Sequence, residues 1–389
     1  MKNKNFKAGF LLGVILTAVL ALGIGAGIYI SAPNGATVND RTKDKMNLIE
    51  KLVDAYYLEK IDKDELCEGT YKGMVDGLGD PYSEYFTKKE YEEQMQETSG
   101  KYVGIGALVT QDDKTGIISI TKVLDDSPAK DAGLKSEDII AQVEGKDVTG
   151  QDLTKVVSKI KGKENTKVKI KILDPKTAKY REVTLTRRAV DSPSVASKVI
   201  DKKNKIGYIA ISEFDINTEE QFKKEIKKLQ KKKVKGVIFD LRYNPGGVYD
   251  IVCKMLDDIL PEGTVVYTKD RDGNKEEQTS DASCWKIPMV VLQNEGSASA
   301  AEIFAGAVQD FKAGKVVGTQ SYGKGLVQNT FPLSDGSAVK LTVKKYFTPS
   351  GKDINNKGIT PDVKVENDGK KDLQLEKGKQ VLMDSISKK

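Results

Sequence analysis

Residues 288–311 read PMVVLQNEGSASAAEIFAGAVQDF, and the stretch changes periodicity midway. PMVVLQN (288–294) is a short apolar run of the kind that forms a strand buried on both faces. A turn of small residues carrying Ser297 and Ser299 follows. Ile303, Phe304 and Val308 then recur on one face of a helix. The same alternation continues upstream. KIGYIAISEF (205–214) and GVIFDLR (236–242) read as strands. Residues 218–233 read as a helix burying Phe222, Ile226 and Leu229. YNPGG (243–247) is a turn, and Val248–Leu260 is a helix with Ile251, Val252, Met255 and Ile259 inward. Alternating strands and helices predict an α/β layered core over 189–365. Strands joined at SDG (334–336) follow within 325–347, and the tail 366–389 reads as helical or frayed.

Upstream of this core the texture differs. YVGIGALVT, GIISITKVL, KVKIKIL and REVTLTR are short alternating strands within 101–188, interrupted by one helix, DLTKVVSKIK (152–161). Residues 32–100 read as helical: Leu48, Leu52, Val53 and Tyr56 share a face, GLGDPYSEYF (77–86) is a turn, and KKEYEEQMQE resumes helical spacing. Lys2, Lys4 and Lys7 precede an uncharged apolar run over residues 8–30, long enough to cross a bilayer. No Lys or Arg follows it before Arg41, so the flank preceding the run is expected inside and the rest of the chain outside. We read 1–31 as an uncleaved single-pass anchor in the cell membrane, with a cleaved signal ending near Ser31-Ala32 as the alternative. The expected fold is an α/β multidomain chain: membrane helix, helical N-terminal region, the strand-rich block 101–188 and the core.

The chain has 63 Lys and Arg against 57 Asp and Glu, a net charge of +6, and the charges are intermixed. The densest basic stretch, KKEIKKLQKKKVK (223–235), is the solvated face of the helix above, so no nucleic-acid partner is expected. Three cysteines, Cys67, Cys253 and Cys284, do not make a disulfide framework. One bridge with a thiol left over and three free thiols are both open, and Cys253 falls on a core face.

The 389 residues include no histidine. A Ser-His-Asp triad and an HExxH metal site are therefore impossible. With no CxxC pair and no tight carboxylate cluster, neither metal nor cofactor is expected. A serine in this chain has to be activated by another base, and a lysine made neutral by burial can do it. SYGKGLVQ (321–328) fits: Lys324 lies between glycines with no acid between Asp310 and Asp335. If 324–328 is extended, Lys324 and Gln328 share a face.

Within 101–188, Ser127-Pro128-Ala129, Ala132-Gly133-Leu134 and Asp138-Ile139-Ile140 resemble a PDZ domain. Val103, Gly104, Ile105 and Gly106 are then the candidate peptide-binding loop, its N–H groups receiving a terminal carboxylate while a strand edge pairs with the incoming chain. NEGSASAAEIFAG (294–306), SYGKGLVQ (321–328) and LRYNPGG (241–247), downstream of the PDZ-like block and matching in order along the chain, resemble the carboxy-terminal processing peptidases over residues 48 to about 365. The resemblance implies an exported serine peptidase with a Ser-Lys dyad, acting on protein substrates with apolar C-termini. By position it makes Ser299 the nucleophile, Lys324 the base and Gln328 the third member. The oxyanion would be held by the N–H of Ala300 and one from Gly246 or Gly247. The resemblance also admits a homodimer through the helical flanks. The residues alone do not choose between Ser297 and Ser299.

Two other readings compete. Ser321-Tyr322-Gly323-Lys324 matches the S-x-x-K of penicillin-recognising enzymes, and Lys-Thr-Gly occurs at 114–116. There the motif opens a helix, whereas here glycines flank the lysine and the Lys-Thr-Gly precedes it. The other alternative is a non-catalytic, membrane-anchored PDZ scaffold that tethers partner C-termini.

Overall fold

The computed structural model describes residues 37–387 apart from position 113. The apolar segment 8–30 lies outside the described residues. Among the described residues, no helix is long and apolar enough to cross a membrane. The chain divides at Gly69 into two units. In the first, helix Asp40–Tyr56 is capped by Asn39, whose side chain accepts from the Thr42 N–H. Lys63 reaches back to Glu50 and Asp54 of that helix.

The second unit holds everything that follows. Its core is a six-stranded sheet in the order Val195–Asp201, Ile206–Ile211, Gly236–Asp240, Met289–Gln293, Gly314–Gly318 and Val363–Lys364. The first pair is antiparallel and the rest are parallel. Gly236–Asp240 and Met289–Gln293 are buried at every residue, as central strands covered on both faces must be. Helices Thr218–Lys231, Tyr249–Asp257 and Ala300–Asp310 contribute to the large apolar cluster on one face of the sheet. Helix Leu373–Ser387 covers the other, with Leu382 fully buried beside Ile238, Val290 and Leu292. Of the two readings of the tail, helical or frayed, the helix holds, and it is a structural layer of the core. Arg242 reinforces it by bonding Asp240 and Asp372 together.

A second, five-stranded antiparallel sheet joins Glu84–Phe86, Ala338–Phe347, Gly263–Asp270 and Lys275–Ser280, with Leu326–Pro332 also paired to Ala338–Phe347. Glu84–Phe86 corrects the expectation that 77–86 is only a turn in a helical region. Tyr85 and Phe86 are buried, and the strand pairs with Ala338–Lys340. Three residues are too few for a period-two pattern to be recognised.

The strand-rich block has its own sheet, in the order Ala107–Gln111, Ile118–Val123, Ile139–Val143, Lys167–Asp174, Lys179–Thr186, and its own core around Val156, Ile160 and Ile170. Its entering strand Lys101–Gly104 pairs with its leaving strand Arg188–Asp191, so the block hangs from the rest by a two-stranded clasp. All three cysteines are free. Cys253 is buried, and burial pushes its thiol up to about 12.

Candidate active site

Strands Gly236–Asp240 and Met289–Gln293 are parallel neighbours, with Asp240 opposite Leu292. The loops leaving their carboxyl ends therefore emerge side by side, the position where open α/β sheets present their sites. These loops carry the YNPGG turn and the serine stretch. Asn244 fastens them together. Its Nδ2 donates to the Ile211 carbonyl (2.9 Å), its Oδ1 accepts from Gly246 N–H (2.8 Å), and its carbonyl accepts from Ala298 N–H (2.9 Å).

The two serines differ sharply in this setting. Ser297 is buried; its hydroxyl donates to the Leu241 carbonyl (2.8 Å) and accepts from Asn294 N–H (2.9 Å), so it is engaged in holding the turn. Ser299 is half-buried at the N-terminus of helix Ala300–Asp310, with φ 55° and ψ −117°. A non-glycine residue in that region is strained and persists only where its surroundings hold it. Ser299 lines a cleft of about 660 Å3 together with Lys324, Gln328, Ala300, Gly246 and Gly247.

What holds Ser299 is Glu302, three residues on and fully buried. Glu302 Oε2 accepts from Ser299 N–H (2.8 Å) and Lys324 N–H (2.9 Å), and Oε1 accepts from Gly323 N–H (2.7 Å) and the Ser321 hydroxyl (2.6 Å). One carboxylate thus ties the serine turn to the lysine loop. Tyr346, also buried, bridges the same two segments by donating towards the carbonyls of Ser299 (3.0 Å) and Lys324 (2.5 Å). Tyr322 N–H adds a bond to the Ser297 carbonyl (3.0 Å).

Lys324 is half-buried, with Nζ 4.7 Å from the centroid of the Tyr82 ring. Burial draws its pKa below the ordinary lysine value, Lys340 acts in the same direction, and Asp80 opposes both. The expectation of a lysine with no carboxylate nearby is corrected on two counts. Asp80 comes from the 77–86 turn and Glu302 from the helix, and neither adjoins Lys324 in sequence. Ser299 Oγ and Lys324 Nζ share the cleft without a hydrogen bond between them among the described residues.

Gln328 lines the cleft as well, but its Nε2 donates to Thr342 Oγ1 (3.2 Å) rather than to the lysine or the serine. Lys324 precedes the strand Leu326–Pro332, and a bulge falls between Val327 and Gln328. The shared face therefore does not come from simple alternation. Of the two candidate glycines, Gly246 lies against Ser299: a Cβ there would come within 2.7 Å of Ser299 Cβ and 3.0 Å of Ala300 N. Its N–H is already engaged by Asn244. Gly247 and Ala300 N–H have no hydrogen-bond partner among the described residues.

In the clasped block, Val103 and Gly104 belong to the entering strand, facing Ala189 and Arg188. The Ile105 side chain is buried in the local core. Gly106 has φ 75°, and a Cβ there would meet Ser127 Cβ at 2.2 Å, so only glycine fits. The carbonyls of Ile105 and Gly106 are taken by Ala129 and Leu124 N–H, while their own N–H groups have no partner among the described residues. The next strand, Ala107–Gln111, lies at the sheet's edge. The expected loop is therefore narrower than 103–106: its two halves do different work, pairing in the first and free N–H groups in the second.

Glu302, Asn244, Tyr346 and Tyr82 escaped the sequence reading. For Glu302 a signal existed: it is the single charged residue in the first turn of a helix that is otherwise buried from Ala300 to Val308. A charge there needs partners.

Sequence models of three families match the chain: peptidase family S41 over residues 205–365, the N-terminal domain of the activating protease CtpB over 31–90, and the PDZ domain over 119–174. A probable CtpA-like serine protease of Staphylococcus haemolyticus is 39% identical over 376 residues, covering 94% of this chain and 74% of that protein. One from Staphylococcus aureus (strain COL) is 36% identical over 359 residues, covering 91% and 71%. Among solved structures, a putative S41 protease from Bacteroides fragilis aligns with a TM-score of 0.51 at 17% identity, covering 85% of this chain and 90% of that one; this likeness concerns the fold.

Proposed function

The chain belongs to peptidase family S41 and is a serine peptidase related to the carboxy-terminal processing proteases; from that premise we propose that Ser299 and Lys324 form its catalytic dyad and that it cleaves exported or membrane-associated proteins. The observation that carries the reading is the shared tether. The backbones of Ser299 and Lys324 are fixed to one buried carboxylate, Glu302, and to one hydroxyl, Tyr346, at the mouth of a single cleft. Ser297 is otherwise occupied.

In this mechanism neutral Lys324 takes the proton as Ser299 Oγ attacks the peptide carbonyl carbon. The oxyanion is received by the N–H of Ala300, at the positive end of the helix, and by that of Gly247; Gly246 contributes by its lack of a side chain. The lysine passes its proton to the departing amine, leaving an ester on Ser299. It then accepts a proton from the water that hydrolyses the ester. Gln328 positions the cleft wall through Thr342. Pairing of Ser299 with Lys324 requires the flexible lysine side chain to turn towards the serine, which substrate binding would complete.

The PDZ domain is the recognition element in this reading. The free N–H groups of Ile105 and Gly106 receive the substrate's terminal carboxylate, and the edge strand Ala107–Gln111 pairs with the residues before it. Residues 8–30 anchor the protein in the cell membrane with the catalytic part outside the cytoplasm, and the helical flanks pair two copies. Acid-quenched single turnover of an activated ester of an apolar peptide tests the chemistry. Acyl mass on the peptide containing Ser299 supports the dyad. Hydrolysis at the full rate with no acyl group on that peptide overturns it.

A further inference from the structure

Residues 77–86 reach Lys324 although they lie far from the serine and lysine motifs in sequence. The Tyr82 ring is placed against Lys324, with Nζ 4.7 Å from its centroid. Among the described residues no hydrogen bond or ion pair reaches that amine, so the ring is its principal contact. The backbone that carries the ring is itself fixed. Tyr82 N–H donates to Asp80 Oδ1 (3.2 Å) and Ser83 Oγ donates to Asp80 Oδ2 (2.6 Å). Ser83 Oγ in turn accepts from Thr342 N–H (3.0 Å), and Tyr85 pairs with Val339 on the same strand. Tyr322, two residues before the lysine, neighbours the Tyr82 hydroxyl.

We propose that Tyr82 is a positioning residue for Lys324, its ring serving as the platform that keeps the amine desolvated and directed into the cleft beside Ser299. The proposal rests on the reading of Lys324 as the base. A lysine side chain has four soft torsions and a strongly hydrated head, so an amine with no hydrogen bond wanders unless something fixes it. An aromatic face attracts an ammonium and also excludes water. The two effects act oppositely on protonation: the face favours the charged form, and the exclusion of water disfavours it. Burial is the largest influence on Lys324, so removing the ring admits water and restores the ammonium. The other groups facing the amine stay in place. Lys340, on strand Ala338–Phe347, drives the proton off and Asp80 retains it. Glu302 is committed to three backbone N–H groups and the Ser321 hydroxyl, and the Tyr346 hydroxyl to the carbonyls of Ser299 and Lys324.

The test uses the full chain and follows kcat and KM for a peptide with an apolar C-terminus across the neutral-to-alkaline range. Tyr82→Phe, which keeps the ring, is expected to stay within about threefold of wild type, because the ring and not the hydroxyl meets the amine. Tyr82→Ala is expected to lower kcat about tenfold or more at little-changed KM, and to move the alkaline rise in activity upward. Competitive acetylation of Lys324 in the Ser299→Ala background reads the amine without turnover, and its midpoint should move upward with Tyr82→Ala. Unchanged kcat together with unchanged Lys324 acetylation in Tyr82→Ala overturns the proposal. Acetylation that shifts as expected, while Lys324→Met still turns over, supports the positioning of the amine and removes the base assignment instead. Should Tyr82→Ala fail to fold, Tyr82→Leu carries the test: it keeps the bulk without the aromatic face, so a tenfold loss in kcat supports the platform and an unchanged kcat overturns it.

Discussion

Replacing Glu302 by glutamine keeps the shape of the side chain and removes one acceptor. In the wild type, both oxygens accept two bonds each, from Ser299 and Lys324 N–H on one side and from Gly323 N–H and the Ser321 hydroxyl on the other. Glutamine must place its NH2 towards one pair. Ser321 is the single partner able to reverse its role, so the amide oxygen should turn to Ser299 and Lys324 and the NH2 to Ser321. Gly323 N–H is then buried against another donor, at a cost of about 1–3 kcal/mol. The two bonds that survive change from charge-assisted to neutral, a loss of about 1 kcal/mol each. The expected destabilisation is about 3–5 kcal/mol, visible in urea unfolding as a lower midpoint at unchanged slope. Because the tether also fixes the relative placement of serine and lysine, kcat of the folded fraction should fall by about tenfold or more while KM moves little. A variant whose stability is within about 1 kcal/mol and whose kcat is within about threefold of wild type would refute this account of Glu302.

Other predictions concern the neighbouring residues. Ser297→Ala leaves Asn294 N–H buried without its acceptor and should cost about 1–3 kcal/mol while the folded protein still cleaves, measurable by unfolding and by activity per folded molecule. Gly246→Ala places a Cβ 2.7 Å from Ser299 Cβ at φ 103°, and kcat/KM should drop about a hundredfold. For Lys324, the folded pKa lies below the ordinary value of 10.5, so the unfolded chain binds the proton more readily. The penalty on folding is fully present below the folded pKa and is lost as pH rises from there towards 10.5. Lys324→Met should therefore be inactive yet melt at a higher temperature at neutral pH; an unchanged or lower Tm would contradict the burial argument. Wild-type activity should rise with pH through a single ionisation, and a flat profile from acid to neutral pH, with chemistry rate-limiting, would argue against a lysine base.

Much of the core was legible because its elements are long and periodic. PMVVLQN reads as a buried strand and GVIFDLR as a strand, as both are, and the helix at Phe222, Ile226 and Leu229 begins and ends within two residues of its expected limits. Pairing across sequence distance was not legible. Glu84–Phe86 gains its identity as a strand from Ala338–Lys340, and Tyr82 reaches Lys324 through that pairing. The tail, read as helical or frayed, is a helix with a buried Leu382 because a sheet face awaits it, which local pattern cannot announce. Within the site, the histidine-free composition forced attention onto a lysine and family resemblance selected Ser299. The hydrogen bonds of Ser297 then give that selection a physical reason. Lys324 has no acid among its sequence neighbours, yet Glu302 Oε2 receives its N–H from 22 residues away, a distance that local pattern does not bridge.

The central claim, a Ser299–Lys324 dyad, is tested most directly by proteolysis of an unfolded protein with an apolar C-terminus, comparing the full chain with its Ser297→Ala, Ser299→Ala and Lys324→Met variants, each verified as folded. The account predicts cleavage by wild type and Ser297→Ala and none by the other two. Cleavage at the wild-type rate by Ser299→Ala or Lys324→Met would contradict it.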